Sequence, residues 1–327
     1  MDLFVQQLVN GLSLGSLYAL IAVGYTVVYG IVQLINFAHG EIFMMGAFGA
    51  LAVCLVIGQG AHSTGLWLLP LMLVGAVAVS VTVALVTERF AYRPLRHAPR
   101  LAPLITAIGV SVFLQEAVRL FYEKIPGFPI AKGNVQFPEI RYVTGPAFDL
   151  GTLGPFRSVA FLQGVLVQRA TLFTWVSLIG CAVALYLFIN HTRVGRAMQA
   201  TAQDPDTARL MGINVDRIIM AAFAVGATLA GIAGVAWGLR YSTIDFRMGF
   251  LAGLKAFTAA VLGGIGNIWG AVLGGLVLGV LETFATTYIP TQFGHPAWKD
   301  VWAFVVLIIV LVFRPQGLLG ARVVDRA

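Results

Sequence analysis

The chain has 327 residues, 59% of them hydrophobic and 11% charged, with a mean hydropathy of +0.88 and a formal net charge of +7. Soluble domains carry about 25% charged residues, so a water-soluble fold cannot cover this much apolar surface. The Arg residues fall in short loops between apolar runs, which excludes a basic nucleic-acid-binding face and fits the positive-inside rule instead.

Apolar runs near 8–34, 42–58, 66–87, 101–121, 171–190, 218–239, 251–287 and 298–313 predict spanning helices, because about 20 apolar residues cross roughly 30 Å of hydrocarbon. Such long runs contradict the alternating strands of about ten residues that a barrel needs. The expected fold class is therefore an all-α membrane protein. It is a polytopic bundle of about eight transmembrane segments, at most about ten, with two broken or re-entrant segments. The whole of 1–327 reads as one transmembrane domain in the lipid bilayer, and no nucleic acid is expected as a partner.

The first run is preceded by Asp2 and by no Lys or Arg, unlike a cleaved signal peptide, and is expected to persist as a helix. Its GLSLG string at 11–15 matches a nucleophile-elbow pattern by chance, since no strand precedes it. The Gly11/Gly15 spacing instead permits close helix contact. Cys54 and Cys181 lie within apolar runs and are expected to pack as small hydrophobes.

After the first helix comes INFAHGE at 35–41. A polar break at 36–41 would expose backbone groups beside Asn36, His39, Gly40 and Glu41. The segment 88–100 carries Arg89, Arg93, Arg96 and Arg100 against Glu88 alone, and is expected to face the cytoplasm. Further on, Gln115 is an intramembrane polar group, and Glu116 and Arg119 are spaced to pair with each other. The segment 122–170 holds Pro126, Pro129, Pro138, Pro146 and Pro155 and is expected to be an irregular external loop.

The loop 191–217, with Arg193, Arg196, Arg209 and Arg217, is expected to be cytoplasmic. Pro205 at a first-turn position and Gly212 at the close bracket a short helix near 204–213. Ala208, Leu210 and Met211 give it an apolar face, which points to a docking surface. Gly234 and Gly238 end a glycine-rich span, and 251–287 is too long for a single one. The string GGIGNIWG at 263–270 divides it, making Gly264, Gly266 and Asn267 a second break flanked by Lys255 and Glu282, which are able to pair across the bundle. Paired breaks in two halves of a transporter point to a midplane pathway. The tail, with Arg314, Arg322 and Arg326 against Asp325, is expected in the cytoplasm and the N-terminus outside. The chain has no phosphate-cradling loop, no HExxH string and no paired-cysteine metal spacing, so neither catalytic residues nor metal ligands are expected.

The stretches NGLSLGSLYALIAVGYTVVYGI at 10–31, INFAHGE at 35–41, ERFAYRPLR at 88–96, ITAIGVSVFLQ at 105–115, VGRAMQATAQDPDTARLMGINVDR at 194–217 and GLKAFTAAVLGGIGNIWGA at 253–271 carry a resemblance. In this order the chain resembles the inner-membrane permease of branched-chain amino acid (leucine, isoleucine, valine) ABC importers, almost end to end. The resemblance implies a second homologous permease, two cytoplasmic ATPases holding ATP and Mg, and a periplasmic binding protein that delivers the amino acid. It also implies a bacterial inner-membrane location. The stretch 201–213 matches the place where such permeases meet their ATPases, which makes Arg196, Asp204, Ala208, Leu210, Met211 and Gly212 the expected coupling residues. Asn36, His39, Gly40, Glu41, Gln115, Lys255, Gly264, Gly266, Asn267 and Glu282 are the expected pathway residues. Two alternatives stand beside this reading: a urea or short-amide permease of the same family, and an ion-coupled secondary carrier with Glu41 or Glu282 at its ion site.

Overall fold

The computed structural model describes residues 2–33, 36–57, 65–96, 98–99, 101–122, 130–131, 134–149, 164–289, 298–314 and 316–320. Ile35, Arg100, Pro126, Pro129, Pro155, Arg322, Asp325 and Arg326 lie outside the described residues. The helices in chain order are α1 (Asp2–Val32), α2 (His39–Val56), α3 (Leu68–Thr87), α4 (Leu101–Tyr122), α5 (Arg169–His191), α6 (Arg193–Gln203), α7 (Pro205–Leu210), α8 (Val215–Tyr241), α9 (Met248–Gly263), α10 (Ile268–Tyr288) and α11 (Lys299–Phe313). Helix α3 runs on through a π turn, Glu88–Tyr92, and a 3-10 turn, Arg93–Leu95.

Seven of these helices are long and apolar enough to cross a membrane, and α9 is a shorter apolar helix. Its 16 residues reach only about 24 Å at the helical rise. The described part of 122–170 forms short pieces only: β1 (Ile130–Ala131), β2 (Asn134–Gln136), β3 (Phe148–Asp149) and β4 (Leu166–Val167). With β5 (Thr243–Ile244) they make two small antiparallel sheets, β1-β2-β5 and β3-β4.

Helix α1 is the hub, buried without interruption from Leu17 to Val23. Apolar attraction does not drive helices together in lipid, so close backbone approach has to. The α1–α10 seam uses glycine for this: a Cβ on Gly15 would sit 2.7 Å from the Gly275 carbonyl oxygen and 2.7 Å from Leu276 Cα. Gly275 returns the contact against Ala19, and Gly279 against Gly15 itself.

The two ends of the bundle differ. At the C-terminal end of α1, Arg93 and Arg96 from the turn after α3 both bind Asp216 at the start of α8, so the two basic loops meet there. This is the basic end. At the other end Val135 pairs with Ile244, and Gln6 bonds both the carbonyl and the amide of Leu166. This is the sheet end.

Helices α2 and α9 both start inside the bundle. His39 begins α2 with its ring 4.6 Å from that of Tyr25, well within α1, so α2 starts in the interior. From the sheet end, Ser242 takes a left-handed conformation (φ +55°), Thr243–Ile244 pairs with β2, and α9 starts at Met248. Gly249 and Gly253 then touch Gly40, where a Cβ would lie 2.9 Å from Gly253 Cα. Two helix starts, approached from opposite ends, therefore meet backbone to backbone.

This corrects one expectation and bears out another. His39, Gly40 and Glu41 occupy the first turn of α2, not the break itself. The segment 263–270 divides the long run as expected: α9 ends at Gly263 and α10 starts at Ile268, with the turn between them beside Gly30 at the basic end. Gly264 (φ +105°) and Gly266 (φ +97°) make that turn, and the tail closes it as the amides of Leu318 and Leu319 donate to the carbonyls of Leu262 and Gly263 at 2.8 and 2.9 Å. The interior counterpart of the first break is the segment 242–247.

Candidate functional site

The meeting of α2 and α9 gathers one set of predicted residues. Glu41 is completely buried; Ser111 of α4 donates to its Oε1 at 3.0 Å, and Oε2 has no hydrogen-bond partner. That free oxygen lies against Gly249, where any Cβ would collide with it. His39 is equally buried and its Nε2 is unpartnered. Its ring rests on Gly24, a position where a side chain would occupy the same space. Asn36 lies one turn towards the basic end. Its Oδ1 accepts from the Ala38 amide at 3.1 Å and from the Tyr92 hydroxyl at 2.5 Å, which ties the start of α2 to the π turn after α3.

A second set forms an ion cluster between α1, α9, α10 and α11. Lys255 binds Glu282 at 2.9 Å and Asp300 at 2.5 Å, and Lys299 reaches Glu282 at 3.2 Å. The Tyr18 hydroxyl also donates to Glu282, at 3.3 Å, and the Tyr18 ring lies 5.6 Å from Lys255 Nζ. The expected Lys255–Glu282 pair is thus present, extended by three residues that sequence reasoning passed over. Tyr18 gave no signal within an apolar run, and Lys299 and Asp300 were passed over among the first residues of the run 298–313.

The remaining predicted pathway residues stand apart. Asn267 caps α10 by accepting from the Gly270 amide at 3.1 Å and donates to the Leu319 carbonyl at 3.0 Å. With Gly266 it borders a crevice of about 610 Å³ at the basic end, lined also by Thr26, Asn190, Met198 and Gln199. Gln115 is half-buried on α4, one turn beyond Ser111. Ser111 makes the contact with Glu41, but a lone hydroxyl costs little in a membrane run and did not stand out. Glu116 and Arg119 form their expected pair at 2.6 Å on an exposed face.

The connection 191–217 folds as two helices. Thr192 caps α6 through the Gly195 amide at 2.9 Å, and Asp204 caps α7 through the amides of Asp206 and Thr207 at 2.9 and 3.2 Å. The Thr207 hydroxyl and these amides hold the Asp204 carboxyl below its usual range. Gly212 ends the connection with φ +82°, as a helix C-terminus requires. Arg196 is exposed on α6. The predicted apolar face divides: Leu210 and Met211 are 87% and 79% exposed, whereas Ala208 is only 4% exposed and packs with Tyr92, Ala107, Val215 and Phe223. Ala208 is therefore a core residue and not part of an outward surface.

The chain matches the sequence family described as branched-chain amino acid transport system, permease component, over residues 7–311. It is 44% identical over 330 residues to the high-affinity branched-chain amino acid transport system permease protein BraD of Pseudomonas aeruginosa, covering 99% of this chain and 98% of that protein. It is 41% identical over 323 residues to the permease protein LivH of Escherichia coli K12, covering 99% and 97%. A probable branched-chain amino acid transport permease protein of Methanocaldococcus jannaschii is 27% identical over 309 residues, covering 93% and 89%.

Proposed function

We propose that this chain, which belongs to the family of permease components of branched-chain amino acid transport systems, carries leucine, isoleucine and valine across the bacterial inner membrane. The observation that carries this reading is identity of 41–44% from end to end with two high-affinity branched-chain amino acid permeases. The chain is a multi-pass membrane permease. The energy source lies in partners: two cytoplasmic ATPases holding ATP and Mg, with a second homologous permease completing the pathway and a periplasmic binding protein delivering the amino acid. The exposed Leu210–Met211 pair at the basic end supports an ATPase contact on α6–α7.

In this mechanism ATPase closure displaces α6 and α7. Asp216, at the start of α8, lies between that connection and the Arg93–Arg96 turn, so the displacement passes into α3 and α8 together. Both helices pack on α2, whose buried start faces that of α9. Rocking of the halves about this meeting point alternates access to the pathway.

The test is reconstitution of the permease pair, ATPases and binding protein in proteoliposomes. ATP-dependent uptake of leucine, isoleucine and valine is expected, with urea excluded. Uptake of urea in their place would overturn the cargo assignment. Uptake by the permease without any ATPase would favour the secondary carrier.

A further inference from the structure

Three acidic side chains in the described residues are buried at or below 1% exposure: Glu41, Glu88 and Glu282. Glu88 binds Arg96, and Glu282 binds Lys255 and Lys299. Glu41 has a single hydroxyl, that of Ser111, on one oxygen and no partner on the other. A buried carboxylate without a cation is expensive, and the cost inside a membrane marks such a group as functional by default.

Its surroundings fit a zwitterion. Glu41 lies in the first turn of α2 with its free oxygen on Gly249 in the first turn of α9. Neither N-cap residue makes a side-chain cap: the His39 amide bonds the Asn36 carbonyl and the Arg247 amide the Asp245 carboxylate, while among the described residues no side chain accepts from the Met248, Gly249 or Phe250 amide. Glycine at 40, 249 and 253 leaves the backbone bare on both sides of the contact. A helix start favours an anion through its dipole and its free N–H groups. An amino acid in transit carries one ammonium and one carboxylate, and both need partners once water is left behind.

We propose that Glu41 is the group that recognises the substrate's ammonium, its Oε2 taking the α-ammonium while the uncapped first turn of α9, at Gly249, takes the α-carboxylate when α2 and α9 part. This rests on the amino acid importer reading above and adds the residue that reads the cargo's charge. The apolar side chain of the cargo makes no claim on Glu41, so leucine, isoleucine and valine are treated alike at this point.

The test uses the complete importer in proteoliposomes with Glu41→Gln, which keeps the shape and the Ser111 hydrogen bond but removes the charge. Loss of a charge-assisted hydrogen bond predicts that leucine moved per ATP hydrolysed falls by at least roughly ten-fold. Glu41→Asp, with its carboxylate retracted, is expected to fall between that variant and the native chain, and it carries the test if Glu41→Gln does not reach the membrane. A native ratio in both variants overturns the proposal. So does a fall of uptake in step with ATP hydrolysis and with the amount of assembled importer, which marks a packing role. A native importer whose uptake depends on sodium or on a proton gradient, with that dependence abolished in Glu41→Gln, assigns Glu41 to an inorganic cation and overturns it too. Failure of the native importer to move any branched-chain amino acid defeats the importer reading instead, so the two failures are distinguishable.

Discussion

Arg96 binds Glu88 within the basic end of the bundle, where the Glu88 side chain is fully buried and the Arg96 side chain only 14% exposed. The same guanidinium holds Asp216 with its other arm. Removing the cation strands a buried carboxylate, so Arg96→Met is expected to destabilise by about 3–5 kcal/mol. Adding Glu88→Gln removes the stranded charge and is expected to restore most of that loss. Thermal unfolding of the two variants in detergent checks this, and equal midpoints for the single and double variants would refute it.

Glycine positions on different helices are expected to respond in opposite directions. A Cβ at Gly15 would strike the α10 backbone at 2.7 Å, so Gly15→Ala must push two helices apart, at a cost of about 1–3 kcal/mol. Gly109 on α4 has nothing within 4 Å of its Cβ position, so Gly109→Ala removes a poor helix former and is expected to gain up to about 1 kcal/mol. Melting curves of both in one detergent decide the matter. A Gly15→Ala protein as stable as the native chain would mean that the seam yields freely.

The α7 connection separates docking from packing. Leu210→Asp together with Met211→Asp touches only exposed side chains, and is expected to leave membrane yield and melting unchanged while co-purification of the ATPase and uptake are lost. Ala208→Glu places a charge among Tyr92, Val215 and Phe223 and is expected to lower the melting midpoint and yield as well. If the double variant retains a native amount of bound ATPase, the exposed pair is not the contact.

Most of the architecture was legible because a bilayer makes one demand: a long apolar run must become a helix. The spans read from 101–121 and 171–190 lie within α4 and α5 to a residue or two. The depth at which a helix starts was not legible. The run of glycines at 263–270 announced the turn that ends α9, whereas the segment 242–247 that leads into α9 is held by Val135↔Ile244, a pairing between residues far apart in sequence. Local composition carries no trace of such a partner. Ala208 was misplaced for a related reason, since a helix of six residues is too short for its periodicity to tell an inward from an outward face. Lys255 and Glu282, both ionisable within apolar runs, announced their pairing because neither has another way to be tolerated there.

Lys255 is also made before the acids it binds, since Glu282 follows 27 residues later and Asp300 later still. An unpaired ammonium at the bilayer centre costs about 2.5–3.5 kcal/mol on insertion scales, and α9 has only 16 residues with which to offset it. During synthesis, then, α9 has no stable resting place in the bilayer on its own. It is expected to enter together with α10 as a hairpin joined at Gly264–Asn267, and the Lys255–Asp300 contact cannot close before Asp300 has been made. The order in which the ribosome releases these charges sets the order in which this half of the protein is assembled.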